Sequence, residues 1–193
     1  MVSGGKARIG IIVDTGVIGG VQKIAVEEVK MLSNIGLYAE LIILDKHFLV
    51  PFNGKYVLLV PKLIPRVRVP PFDFLTLNHI LLLPYFIYRL KNYDIIIAHN
   101  IIAVVPALIF KILFGKPIIL IIYYHDTAYS IIQIYFKNSL IRTLIRVFEE
   151  TVLRYSDSVI ANSHLTRKII ENVYGIKPIV VYPGAKHSSL NLD

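Results

Sequence analysis

Ile9-Gly10-Ile11-Ile12-Val13, then Asp14-Thr15-Gly16-Val17-Ile18-Gly19-Gly20, then Val21-Gln22-Lys23: this succession of apolar run, glycine-rich turn and helix start decides the fold. An uninterrupted run of branched apolar residues reads as a parallel strand buried on both faces. The pattern after it places Ile24, Ala25, Val29 and Leu32 on one helical stripe from about Val21 to Ile35. Glu28 is the one acid on that stripe, and Gly36 supplies a stop. A strand feeding a glycine turn that opens a helix is how α/β proteins bring backbone close to a ligand. A tight strand-to-helix connection needs about one glycine, whereas Gly16, Gly19 and Gly20 are three within five residues. Their spacing is neither G-x-G-x-x-G nor a phosphate loop ending in Lys-Ser/Thr, so ordinary dinucleotide or NTP binding is disfavoured.

Working outward, the pattern predicts a second strand over Tyr38 to Leu44 and a short one over Tyr56 to Val60. Between them and Phe72 the chain is rich in proline, and Pro61, Pro65, Pro70 and Pro71 forbid a long helix. A connection this long within one domain is more often functional than idle. Asp73 is a candidate cap for a helix running to about Lys91, kinked at Pro84. From Asp94 the alternation becomes regular. Strands are expected at Asp94 to Ala98, Ile118 to Tyr123, Ser158 to Ala161 and Pro178 to Val181. Helices are expected to Phe114, starting near Ile101 or kinked at Pro106, from about Ser130 to Arg154, and from a Ser163 cap to about Tyr174. Alternating strands and helices imply right-handed crossovers and a parallel sheet. The expected class is α/β, a doubly wound, Rossmann-like parallel sheet of about seven strands, with no internal repeat.

Composition narrows the setting. The 193 residues suffice for one well-cored domain and are too few for two ordinary ones. They are 55% hydrophobic, with a mean hydropathy of +0.62. Even so, the longest apolar run, Ile101 to Phe110, ends at Lys111, short of the ~18–20 residues that span a bilayer. No small-residue cleavage site follows the first apolar run, so a cytoplasmic protein is expected. The absence of cysteine excludes disulfides, a thiol nucleophile and thiolate metal ligands. The net charge of +8 is uneven. Between Pro51 and Lys91 stand Lys55, Lys62, Arg66, Arg68, Arg89 and Lys91 against Asp73 alone, interleaved with aromatic residues. That mixture suits an anionic membrane surface or a phosphorylated lipid, or ordinary solvated loops. No nucleic-acid recognition module is visible, and nucleic acid is not expected as a partner.

In a doubly wound sheet, ligands collect beyond the C-terminal ends of the strands. The residues expected there are Asp14 to Gly20, His99-Asn100, His125-Asp126, Asn162-Ser163 and Pro183-Gly184. His125 can donate or accept a proton at neutral pH, with Asp126 able to fix its tautomer; a loop histidine beside an Asp helix cap is the plainer alternative. Asn162-Ser163 reads first as a helix N-cap, whose neighbouring N–H groups can also bind anions. His47, His79, His164 and His187 show no metal-ligand spacing, so no metal site is expected. Glu149-Glu150, with Arg146 and Arg154 three to five residues away, reads as a surface ion-pair pattern. No Ser or Thr occupies a G-x-S-x-G elbow.

Taken together, several stretches resemble family 4 glycosyltransferases. Gly19-Gly20-Val21-Gln22-Lys23 through Leu32-Ser33-Asn34-Ile35-Gly36 is similar to that family's first loop and helix. The likeness continues at Tyr93 to Asn100, from Lys116-Pro117 to His125-Asp126, at Ser156 to Ser163, and at Val180-Val181-Tyr182-Pro183-Gly184-Ala185. It leaves out Asp45 to Lys91. The resemblance implies half of a GT-B architecture, in which two Rossmann-like domains face each other across a cleft. Residues 1–185 would form the N-terminal, acceptor-side domain, and 186–193 the start of a crossover to a second domain. It implies a retaining transfer of a hexose from a nucleotide-sugar, without a cofactor or metal, to a sugar or lipid-linked acceptor. The catalytic candidates are His125 and Asp126. Gly16, Gly19, Gly20, Lys23, His99, Asn100, Asn162 and Ser163 are the candidates for binding donor phosphate or acceptor. The family's donor-binding C-terminal domain carries a glutamate pair seven residues apart, which has no counterpart here. This chain is therefore expected to need that domain as a partner, from the same gene or a separate chain. Peripheral contact with the inner face of a membrane through 51–91 is expected too. The alternative is a non-catalytic binding or membrane-recruiting subunit.

Overall fold

Strand β1 (Arg8–Val13) lies at the centre of a parallel sheet. Ile11, Ile12 and Val13 have no exposed surface, which explains the unbroken apolar run. The computed structural model describes residues 7–13, 20–44, 56–58, 68–69, 72–76, 83–99, 101–114, 119–124 and 139–183. Within these, β1 is joined by β2 (Tyr38–Ile43), β3 (Tyr56–Leu58), β6 (Ile95–Ala98), β7 (Ile119–Tyr124), β8 (Ser158–Ala161) and β9 (Ile179–Val180). The order is β3-β2-β1-β6-β7-β8-β9, with every neighbouring pair parallel. Chain order reverses between β1 and β6, and the five helices among the described residues divide accordingly.

The first helix, α1 (Gly20–Asn34), packs on β1 and β2. It buries Ala25, Val26 and Val29 against Ile9, Ile11, Val13, Leu41 and Ile43. Each fully buried side chain of that size contributes about 1.5–3 kcal/mol. Gly36, at φ 82°, ends the helix as expected, with the Leu37 N–H bonded to the Leu32 carbonyl at 3.0 Å. The opposite face is covered by α2 (Leu83–Leu90), α3 (Ile101–Phe114), α4 (Ser139–Tyr155) and α5 (His164–Tyr174). There Phe86, Leu90, Ala103, Val104, Val152, Leu153 and Ile170 meet Ile12, Ile42, Ile96 and Val159. Gly10 makes this packing possible: a Cβ at that position would lie 2.7 Å from Ile42 Cδ1 and 3.1 Å from both Ile96 Cδ1 and Tyr93 Cδ1.

Two expectations are corrected. Asp73 does not cap a helix; it lies in β5 (Phe72–Thr76), which pairs antiparallel with β4 (Arg68–Val69) in a separate two-stranded sheet. The aromatic alternation of Phe72-Asp73-Phe74 favours a strand. The described helix α2 spans Leu83–Leu90, with Pro84 in its first turn, where no intrahelical N–H is lost. Glu149 is not a surface residue either. Its side chain is fully buried and accepts a hydrogen bond from the Tyr174 hydroxyl, while Glu150 makes the surface pair with Arg154 at 2.8 Å.

Candidate functional site

All the strands of the large sheet run the same way, so their C-terminal ends form one rim. Along it lie Val13, Ala98, Tyr124 and Ala161, at the ends of the adjacent strands β1, β6, β7 and β8. The reversal between β1 and β6 opens a crevice, because the connections leave these two strands toward opposite faces.

The described residues at this crevice form one connected unit. His99 follows β6, and its N–H donates to the Ile12 carbonyl of β1 at 3.0 Å. Its imidazole has no exposed surface. Nε2 lies 2.7 Å from Oε2 of Glu28, which reaches across from α1 and is one-quarter exposed. With Glu28 ionised, Nε2 carries the proton and donates. The last turn of the β6 strand is therefore tied to the helix whose N-terminus faces the rim. His99 supports the crevice from behind, and Glu28 is the member of the pair that borders solvent.

Gly20 is the first residue of α1 and is exposed, with no atom within 4 Å of where a Cβ would sit. Neither its backbone angles nor internal packing demand glycine there. Lys23, one turn further on, is exposed. Asn162 and Ser163 stand at the end of β8, two strands and about 10 Å from β6. Ser163 caps α5, its Oγ accepting from the Thr166 N–H at 3.1 Å, and the Thr166 hydroxyl donates to Asn162 Oδ1 at 2.6 Å. Those oxygens are occupied in the cap, as the N-cap reading anticipated. Beside them His164 meets the Tyr182 ring edge-on, with centroids 5.9 Å apart. Gly16, Gly19, Asn100, His125 and Asp126 lie outside the described residues. The structure thus brings α1 and His99 together and sets Asn162-Ser163 apart from them. Glu28 was not among the sequence candidates, although its place on an apolar stripe was a signal.

The opposite rim is structural. Arg8 stacks over Tyr38 and Tyr93, 4.9 and 5.6 Å from the ring centroids, and both hydroxyls donate to Glu40. Burial, then the bond to Glu40, pushes the Tyr93 phenol above its ordinary value of 10. A groove of about 480 Å³ between Arg154, Asp157 and Lys177 opens at this end too, away from the strand C-termini. Among the described residues no group of three or more His, Asp or Glu side chains could hold a metal ion.

The profile of Glycosyltransferase Family 4 matches residues 18–188, nearly the whole chain. The chain belongs to Glycosyltransferase Family 4. No curated protein matches it. The family 4 fold recurs in solved GT-B structures, among them HepE of Anabaena in complex with UDP-glucose, at 17% identity and a TM-score of 0.63. Others are the lipopolysaccharide outer core galactosyltransferase WaaB, at 18% and 0.61, and sucrose-phosphate synthase of Thermosynechococcus elongatus, at 15% and 0.62. Each match covers 93–94% of this chain and 44–49% of the other, so the chain spans less than half the length of these relatives.

Proposed function

We propose that this family 4 domain is the acceptor-side half of a retaining glycosyltransferase that moves a hexose from a nucleotide-sugar to a sugar or lipid-linked acceptor. The observation that carries this reading is the match of the family profile over 18–188, supported by the crevice at the β1–β6 reversal. In the proposed reaction the bond between anomeric carbon and diphosphate breaks, and an acceptor hydroxyl takes the sugar. The charge left on the diphosphate calls for preorganised donors, and the acceptor hydroxyl must be held on the face of the sugar from which the diphosphate departs, where its proton can pass to the leaving group, so that the configuration is retained. The N-terminus of α1, open at Gly20, is suited to the first task. Gly16, Gly19 and Lys23 are proposed to share it, and Asn100, Asn162 and Ser163 to border the bound sugars. The His99–Glu28 pair keeps α1 at its distance from β6. His125 and Asp126, beyond β7, are proposed as the polar pair at the reacting centre. The nucleotide is assigned to a donor-binding domain opposite, and no metal is assigned to the transfer.

The test is transfer from a panel of UDP- and GDP-hexoses by this chain, with and without a family 4 donor-binding domain. Transfer only in the combined sample is expected. Replacing Gly20 with Ala should cut it at least about tenfold by crowding the donor while leaving the melting temperature unchanged. Transfer by the chain alone would overturn the incompleteness. Absence of transfer in every combination would overturn the enzymatic reading in favour of a binding or membrane-recruiting subunit.

A further inference from the structure

Helix α4 turns an apolar stripe away from the sheet. Leu140, Leu144, Val147, Phe148 and Tyr155 are 65%, 60%, 52%, 45% and 58% exposed, and Thr151 among them is exposed too. At about 3.6 residues per turn, these six positions fall within one arc of about 100°, the width of a stripe that ordinarily faces a core. Val152 and Leu153, buried against the sheet, lie on the far side of the helix. Arg142 and Arg146 fall in the row of the buried Glu149 and Leu153, so the stripe itself carries no charge. Thr151 does not interrupt it, because its hydroxyl donates to the Val147 carbonyl at 2.7 Å. Covering this residue would therefore strand no polar group.

The spacing of the stripe selects its occupant. The intervals between its six positions are four, three, one, three and four residues, the same from either end. A two-fold axis between Val147 and Phe148 therefore lays a second α4 antiparallel on the first with every position of the stripe answered. Leu140 comes to the level of Tyr155 of the second copy, Leu144 to the level of Thr151, and Val147 and Phe148 stand beside the axis. An isologous interface requires this kind of self-complementarity. Five large side chains, each about half exposed, offer roughly 500 Å² per copy, or about 1,000 Å² for the pair, which is the least that a specific interface buries. A stripe without cations has little to attract an anionic lipid surface. A donor-binding domain facing the rim of the strands would leave this outer side of α4 uncovered.

We propose that α4 is a self-association surface through which two copies of this chain pair antiparallel about a two-fold axis. Because α4 runs antiparallel to the strands, the two crevices then open at opposite ends of the pair, and each is left free. Each copy carries a net charge of +8, and the repulsion between them is screened beyond about 10 Å at 0.1 M salt. Pairing should therefore strengthen as salt is raised. The inference stands whether or not the sugar-transfer reading holds, because its test reads association alone.

The test is sedimentation equilibrium of the chain from about 1 to 100 μM, the range in which an interface of this size begins to associate. A monomer–dimer equilibrium favoured by salt is expected. Leu144→Gln with Phe148→Gln should weaken it at least about tenfold, with circular dichroism verifying that the double variant is folded. The chain has no cysteine, so a single one introduced at the axis reports geometry directly. Oxidation should link Val147→Cys chains into covalent dimers and leave Leu165→Cys, equally exposed but on α5, monomeric. A chain that stays monomeric throughout would overturn the proposal, as would a dimer untouched by the double variant and not linked through Val147→Cys. A monomer that pairs one-to-one with a family 4 donor-binding domain, and loses that pairing in the double variant, would overturn it in favour of that domain.

Discussion

Replacing Glu28 with leucine isolates the contact on which the candidate site is mounted. The volume is nearly conserved, so the perturbation is the loss of the acceptor 2.7 Å from His99 Nε2. That nitrogen belongs to a fully buried ring and would face an apolar chain. A buried polar group deprived of a partner costs about 1–3 kcal/mol, and a bond to a charged acceptor lies toward the upper end. Glu28 is one-quarter exposed, so water already screens part of the interaction, and about 1–2 kcal/mol is expected. In a domain of this size that is a fall in melting temperature of roughly 2–8 °C. The clean assay is a double-mutant cycle of Glu28→Leu, His99→Phe and both together, followed by urea denaturation. A coupling of about 1 kcal/mol is expected, since Glu28→Leu strands the buried imidazole nitrogen only while the imidazole is present. Additivity to within about 0.3 kcal/mol would refute the reasoning, because α1 and β6 would then be held by apolar packing alone.

Two further outcomes follow from buried polar contacts. Tyr174→Phe removes the donor to the buried Glu149 carboxylate and should cost about 2–3 kcal/mol; a loss below about 0.5 kcal/mol would show that another donor suffices. The Tyr93 phenol is raised in the folded state above its unfolded value of 10, by burial and then by the bond to Glu40. Its stabilising contribution is therefore complete below pH 10 and is lost as pH rises through the folded value. Chemical-denaturation stability should begin to fall near pH 10, with a tyrosine whose absorbance titrates later than the rest. A titration in which all twelve tyrosines ionise together near 10 would contradict this.

Most of the sheet could be read because parallel strands buried on both faces leave unbroken apolar runs. Ile9 to Val13, Ile95 to Ala98 and Ser158 to Ala161 are strands, as expected. The stops were legible wherever backbone chemistry is local, as at Gly36 and at the Ser163 cap. Asp73 misled because an Asp before apolar residues is compatible with either a cap or a strand, and only the partner strand at Arg68–Val69 decides. The site was legible as a rim but not as contacts. His99 was a candidate from its position after a strand, yet the carboxylate that its ring meets belongs to Glu28, 71 residues away in sequence. Both Glu28 and Glu149 stand on helical stripes that otherwise bury apolar residues. An acid in such a place implies a buried partner, but periodicity does not say which one.

Those two carboxylates perform the same task on opposite faces of the sheet. An apolar stripe fixes which side of a helix is buried, while permitting rotation and sliding at small cost. A hydrogen bond of defined direction permits neither, and in a low-dielectric interior it is costly to break. Glu28 ties α1 to the end of β6. Glu149, together with the Arg154 bond to the Tyr174 carbonyl at 3.2 Å, ties α4 to the end of α5. The strand between these two anchored regions is β7, and from β7 the chain enters His125-Asp126. Helix α1 on one face and α4 on the other are thus each fixed in position against the sheet. A site that must align a donor phosphate with an acceptor to within a fraction of an ångström needs such fixed mounts more than it needs further apolar area.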